Sequence, residues 1–324
     1  MSSSPTPAIR VGVVGLGLMG RRMLGSLAPH DGFESVVGFD ADPAATEHAA
    51  KEFECEAAAS FEALLGRDDL DLVYVATPPA SHVELGERVL ASGRALFLEK
   101  PLAVDLGAAE RLVEAAEAGG PPAALNFPFA TLPGLAGIER AVAAGEAGEL
   151  LRVELQLHFS QWPRGWHTAG PWLDGDREGG FLREVFSHFA YLTQRLLGPL
   201  EVVDARVERE PGRGERFARA ELRAGGVAVQ LLGAVGGAAP DHNRWTLYGE
   251  RRSWRLEDWS RLSVTEGERW TAVEPEARES QGAETQLDQL AALLRGEPSC
   301  LPSLREGLDV MRVVEAIRSR TLCC

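Results

Sequence analysis

No apolar run in the chain approaches the roughly 20 residues that a membrane-spanning helix requires, so a helical span is excluded. Basic runs are equally missing. With 33 Lys and Arg against 48 Asp and Glu, the formal charge is -15, which repels polyanions and excludes nucleic acid as an expected partner. Cysteine is scarce. Cys55, Cys300, Cys323 and Cys324 show no metal-ligand spacing, so neither a metal site nor a role for the thiols is expected. The opening residues lack a basic segment, and the first apolar run, Ile9 to Val14, reads as a strand rather than a signal sequence. A cytoplasmic protein is the expectation.

What is present is ordinary globular material: 324 residues, 45% apolar and 25% charged, enough for two domains with full cores. From Ile9 to about Asn126, short apolar strands alternate with helical stretches, the pattern of a doubly wound parallel sheet. The strand candidates are Ile9 to Gly15, Ser35 to Asp40, Leu72 to Ala76, Ala95 to Glu99 and Ala123 to Asn126. Beyond Pro128 the rhythm changes to a helix around Leu135 to Ala144, a strand from Leu150 to Phe159, a Trp-rich stretch and a helix from Gly180 to Leu197. Alternating runs between Glu201 and Val273 then predict a largely antiparallel open sheet, before helices near Glu284 to Arg295 and Leu304 to Arg320. The expected class is α/β: a Rossmann domain over residues 1–126 and a second α/β domain over 127–324.

Gly15-Leu16-Gly17-Leu18-Met19-Gly20 follows a strand and opens a helix, the context in which a Gly-x-Gly-x-x-Gly segment cradles a pyrophosphate. Its helix N-terminus offers free N–H groups and a positive dipole end. Asp40, 20 residues past Gly20, stands where a carboxylate accepts hydrogen bonds from the adenosine ribose and repels a 2′-phosphate. NAD is therefore expected, with NADP left open because a nearby Arg would admit the phosphate. In open α/β sheets the ligand lies beyond the carboxyl ends of the strands. Gly15, Asp40, Thr77 and Glu99 should share that edge.

Three segments make the chain resemble the Gfo/Idh/MocA family of nicotinamide-dependent oxidoreductases: Val11 to Gly17, Ala76-Thr77-Pro78-Pro79-Ala80-Ser81-His82, and Glu99-Lys100-Pro101-Leu102. A fourth, Gly179-Gly180-Phe181-Leu182-Arg183-Glu184-Val185-Phe186-Ser187-His188, is similar to the family's Gly-Gly, acid and His segment. The resemblance implies that Lys100 binds the reacting oxygen, His188 serves as acid/base and Glu184 assists. It also implies a homo-oligomer, dimer or tetramer, assembled through the C-terminal sheet, and adds Leu18, Met19, Pro78, His82, Glu99 and Lys100 to the cofactor side. Two departures stand out. Glu184 occupies a position usually held by Asp, and Pro128 follows Asn126-Phe127 where many relatives carry Arg.

The chemistry is coherent, because moving a hydride to or from an alcohol carbon requires a proton to cross the same oxygen, and imidazole titrates near neutral pH. Lys100 as an ammonium would stabilise the alkoxide. On an α-helix, Glu184 and His188 at i, i+4 share a face, with Val185, Phe189, Leu192 and Leu196 as a separate core stripe that frees His188 to face a cleft. His82 is expected beside the cofactor without a catalytic part, and a cis bond before Pro101 fits such a turn. Trp162, Trp166, His167 and Trp172 admit two readings, stacking on a sugar or packing under a loop; with Asn126 they form the candidate substrate set. The expected function is hydride transfer on a small sugar- or cyclitol-like molecule. A redox-neutral NAD-dependent hydrolase or lyase, and a non-catalytic ligand sensor, are the alternatives.

Overall fold

The computed structural model describes residues 7–165, 170–273 and 282–323. Two compact units emerge: residues up to Phe127 with Ala283–Leu308, and Pro128–Gly282 with Asp309 onward.

In the first unit β1 (Ile9–Val14), β2 (Phe33–Phe39), β3 (Glu56–Ala57), β4 (Leu72–Val75), β5 (Ala95–Glu99) and β6 (Ala123–Asn126) form one parallel sheet in the order β3-β2-β1-β4-β5-β6. The strand order turns back at β1 and β4, the switch point where open α/β sheets bind ligands. Short β3 lacks an apolar run, and the sequence pattern did not predict it. The crossovers are α1 (Leu18–Leu27), α2 (Pro43–Glu52), α3 (Phe61–Leu65), α4 (His82–Ala91) and α5 (Leu106–Glu117). Asp42 caps α2 by accepting the Ala44 N–H at 2.9 Å, with Pro43 pre-setting the first turn, and Asp105 caps α5 through Ala108 at 2.8 Å. All five residues of β5 are buried, as expected of a parallel strand covered on both faces.

A late segment completes this unit. Leu287, Leu290 and Ala291 of α8 (Gly282–Leu294) join the core formed by Val11, Val13, Leu24, Tyr74 and Phe97. The expected contiguous split at 126/127 thus becomes an interrupted one. Each buried Leu contributes about 1.5–3 kcal/mol, which is reason enough for a distant segment to return.

The second unit holds α6 (Leu135–Ala143), β7 (Leu150–Phe159), α7 (Ser187–Leu197), β8 (Leu200–Arg209), β9 (Glu215–Ala224), β10 (Val227–Val235), β11 (His242–Gly249), β12 (Trp254–Glu257), β13 (Arg261–Glu266) and β14 (Arg269–Ala272). The chain then runs through α9 (Leu304–Arg318) to β15 (Thr321–Cys323). The sheet order is β14-β13-β12-β11-β7-β10-β9-β8-β15, mainly antiparallel, with parallel pairs at β7–β10 and β8–β15. Along β9, Ala218, Ala220, Leu222 and Ala224 are buried and alternate with exposed residues, so one face of the sheet is covered and the other open. Leu151, Val203 and Leu232 lie exposed on their strands.

Candidate active site

In the first unit, the turn from β1 into α1 carries the glycine segment. Gly15 has φ +89°, and a Cβ there would stand 2.6 Å from the Ala76 carbonyl oxygen; one at Gly20 would overlap the Gly15 carbonyl. Both positions therefore exclude larger residues for reasons internal to the fold. Gly17 differs. A Cβ there would meet no atom within 4 Å, so its absence keeps open the approach to the α1 N-terminus, as a pyrophosphate cradle requires. Leu18 is exposed and Met19 half-buried at the same end. Asp40 follows β2 directly, with Oδ2 accepting the Leu16 N–H at 2.7 Å and Oδ1 accepting the Asp42 N–H at 2.9 Å. Each oxygen retains a lone pair for a ribose hydroxyl. Asp40 thus also ties the glycine turn to β2, a structural duty that spacing alone did not reveal.

The loops after β4 and β5 are braced together. His82, fully buried at the start of α4, places Nδ1 2.8 Å from the Pro101 carbonyl oxygen and Nε2 2.8 Å from that of Thr77. Burial outweighs the two carbonyl contacts and pushes its pKa down to about 4, so near pH 7 the neutral ring donates to one of the two carbonyls and only packs against the other. The brace holds Thr77 and half-buried Lys100 at the carboxyl edge of the sheet, while Pro78 is exposed there; the Lys100–Pro101 bond is cis. Beneath them Glu99 accepts hydrogen bonds from the Tyr74 hydroxyl and the Asn126 amide on Oε1 and from the Lys100 N–H on Oε2. Gln286 of α8 donates to Asn126 Oδ1 at 2.8 Å. Glu99 and Asn126, expected on the cofactor and substrate sides, are buried and hydrogen-bonded to each other. Desolvation raises the Glu99 pKa against the opposing pull of the Tyr74 hydrogen bond and the Lys100 charge.

In the second unit the expected α-helix from Gly180 begins with a π-helical turn, Leu182–Phe186, before α7. That turn carries Glu184 and shifts the side chains before Ser187 out of the 3.6-residue phase that Phe189 and Leu192 follow. His188, expected to face a cleft, is only 7% exposed. Its imidazole sits edge to face against Phe129 at 5.7 Å and Trp259 at 5.4 Å between ring centroids. Phe129 comes from the short turn after Pro128. The Arg164 guanidinium lies 5.8 Å from the Trp259 ring centroid and feels the charges of Asp241 and Glu184, though burial is the larger influence and lowers its pKa.

Trp162 resolves towards packing: it is buried, donates Nε1–H to the Leu173 carbonyl at 2.9 Å and meets Phe159 edge to face. Trp172 is half-buried in the short helix Pro171–Asp174. Trp166 and His167 lie outside the described residues. Trp259 escaped the sequence reading because its partners are remote in sequence. One signal for Lys100 was overlooked: the chain contains only two lysines, Lys51 and Lys100, among its 33 basic residues.

Comparison with known proteins agrees with both units. Residues 9–127 match the family model described as an oxidoreductase family with an NAD-binding Rossmann fold, and residues 136–255 match the GFO/IDH/MocA C-terminal domain. The chain belongs to the GFO/IDH/MocA oxidoreductase family. NAD or NADP fits its Rossmann fold. Within this family it is 31% identical over 232 residues to a dTDP-3,4-didehydro-2,6-dideoxy-alpha-D-glucose 3-reductase from Streptomyces violaceoruber, covering 69% of this chain and 66% of that protein. An inositol 2-dehydrogenase from Rhizobium meliloti (strain 1021) is 27% identical over 190 residues, 59% of this chain and 55% of the relative. The matches thus span from about half to just under two thirds of these relatives. A 3-ketoreductase from Actinomadura kijaniata, solved with NADP and TDP-benzene, shares the fold with a TM-score of 0.81 at 24% identity, over 98% of this chain and 99% of that one. Among the described residues, no helix is long and apolar enough to cross a membrane and no cluster of three or more His, Cys, Asp or Glu could hold a metal.

Proposed function

We infer that this protein is an NAD(P)-dependent dehydrogenase or reductase acting on a hydroxyl or carbonyl carbon of a small sugar- or cyclitol-like substrate. The observation that carries the reading is the placement of Lys100: its backbone N–H is anchored on buried Glu99, and its loop is braced by His82 at the sheet edge that also carries the glycine turn and Asp40. Nicotinamide supplies the hydride chemistry. Lys100 stabilises the substrate alkoxide electrostatically, and His188 exchanges its proton, with Glu184 as a nearby carboxylate that tunes the charge around Arg164. Asp40 favours NAD through the ribose hydroxyls. Glu99 and Asn126 act indirectly, by fixing Lys100. The half-open sheet, with Leu151, Val203 and Leu232 exposed, serves as a contact between copies of the chain.

The test is absorbance of reduced cofactor at steady state with a panel of cyclitols, free sugars and sugar nucleotides, each with NAD and NADP. Cofactor reduction with at least one polyol supports the reading. Product formation without net cofactor change would replace it with a redox-neutral reaction, an outcome of interest because one relative, 36% identical over 121 residues, is a glycosyl hydrolase family 109 protein from Streptomyces coelicolor. Ligand binding without any product would indicate a sensor.

A further inference from the structure

The turn between β12 and β13 contains two consecutive non-glycine residues with left-handed backbone, Asp258 at φ +46° and Trp259 at φ +73°. Turns with two positive φ values ordinarily carry Asn and Gly, because a larger side chain crowds its own backbone there. A tryptophan at such a place is strained and persists only where its surroundings overdetermine it. Those surroundings are identifiable. Asn243 on β11 is buried, accepts the Trp259 N–H on its side-chain oxygen at 3.1 Å and accepts the Asp258 N–H on its backbone oxygen at 3.0 Å. The indole so held meets three rings, His188 at 5.4 Å and Phe129 and Phe189 at 5.8 Å, with the Arg164 guanidinium at 5.8 Å. Yet Trp259 is not fully buried, so packing does not use its whole surface.

We propose that Trp259 is a substrate-stacking, specificity-determining residue, offering its exposed indole surface to the apolar face of a pyranose or cyclitol ring while Asn243 positions it. The proposal rests on the function inferred above and deepens it. A six-membered polyol has C–H bonds on one face and hydroxyls around its rim, and an aromatic surface bordered by charged groups matches both. Here the charge is that of Arg164, whose guanidinium stands over the indole ring at 5.8 Å from its centroid. His188 lies edge-on to the same indole, so a ring seated there brings its hydroxyls towards the imidazole.

The experiment compares wild type, Trp259→Phe, Trp259→Leu and Asn243→Ala as full-length protein with NAD or NADP present. The probes are myo-inositol and dTDP-glucose. Calorimetry gives Kd, steady-state absorbance gives KM and kcat, and circular dichroism with a thermal midpoint confirms folding. Wild type should bind at least one probe with quenching of indole fluorescence, and Trp259→Phe should lose that quenching while weakening Kd by less than about fivefold. Trp259→Leu should raise Kd and KM tenfold or more, by a larger factor than kcat falls. Asn243→Ala should shift KM in the same direction with a smaller change in kcat. A Kd for Trp259→Leu within twofold of wild type overturns the proposal, as does a wild type that binds neither probe. If Trp259→Leu does not fold, unchanged quenching in Trp259→Phe overturns it equally. Wild-type binding without reduced cofactor would defeat the hydride-transfer reading, while the Kd ratio would still decide the part played by Trp259.

Discussion

Asn126 stands directly opposite Glu99 on neighbouring parallel strands, and its amide donates to Glu99 Oε1 at 2.7 Å. The carboxyl group is buried, so its donors substitute for water, and removing one leaves a polar atom that nothing solvates. Asn126→Leu should therefore destabilise the protein by about 1–3 kcal/mol and lower turnover, since Glu99 also holds the Lys100 backbone. Tyr74→Phe should have the same sign. Urea unfolding checks both, and wild-type stability in Asn126→Leu would remove Glu99 from its bracing role.

His82 makes stability depend on pH. Its folded-state pKa is pushed down to about 4 by burial, whereas an imidazole in the unfolded chain titrates at about 6.5. Between these values the unfolded state binds the extra proton, so the His82 contribution is complete above about pH 6.5 and is lost as pH falls towards 4. The full span is worth about 3 kcal/mol. Glu99, with a raised pKa, works in the opposite sense, losing its contribution as pH rises above the unfolded carboxyl value. The difference between wild type and His82→Gln isolates the histidine. Urea midpoints at pH 5 and pH 7 should be farther apart in wild type than in the variant; parallel behaviour would mean that His82 is protonated in the fold.

Much of this was legible in the chain because the relevant signals are local. β1, the Gly15 to Gly20 turn and Asp40 lie within 32 residues, and their order alone specifies a nucleotide cradle. Antiparallel strands declared themselves by alternation. Other features depend on partners that only folding brings together: Asn243 and Trp259 are 16 residues apart, Tyr74 and Glu99 25, Asn126 and Gln286 160. The π turn was invisible for a different reason. It adds one residue to a helix without altering composition, and the apolar stripe through Phe189 and Leu192 keeps a regular period on its far side.

Asp40 has two duties that two substitutions can separate. Asp40→Ala removes both the ribose acceptor and the tie to the Leu16 N–H, so NAD affinity should fall by about ten- to a hundredfold, by the loss of charge-assisted hydrogen bonds worth about 1.5–3 kcal/mol. Asp40→Asn retains an acceptor for Leu16 while removing the charge that repels a 2′-phosphate. It should weaken NAD less and narrow the preference over NADP. Nucleotide titrations followed by fluorescence decide this, and equal NAD affinity in wild type and Asp40→Ala would dismiss the role.

The scarcity of lysine permits a direct reading of Lys100. Reductive methylation with labelled formaldehyde should give two side-chain signals, from Lys51 and Lys100, apart from the terminal amine, and Lys100→Arg identifies the second. Addition of NAD should move the Lys100 signal and leave that of Lys51, on α2, in place. Lys100→Met should reduce turnover by about 10²–10³ while nucleotide affinity stays within a few-fold, because the pyrophosphate and ribose are held elsewhere. Undiminished turnover would discard the assignment.

Arg318 of α9 pairs with Glu215, whose side chain is wholly buried, and the same carboxylate accepts the Leu182 N–H on Oε2 at 3.3 Å. A Cβ on Gly180 would collide with that carboxylate, so the glycine pair, the π turn and the ion pair form one assembly. Arg183 extends it, donating to Glu315 at 2.7 Å and to the Asp176 carbonyl at 3.0 Å. Breaking a buried pair from one side strands the other charge, so Arg318→Met should cost about 3–5 kcal/mol. Glu215→Gln with Arg318→Met should recover part of that loss, because no unpaired charge remains, and a double-mutant cycle from urea unfolding measures the coupling. Since the assembly anchors the turn that leads to His188, turnover in the double variant should stay below wild type even where stability returns; full recovery of both would reduce the ion pair to a purely structural contact.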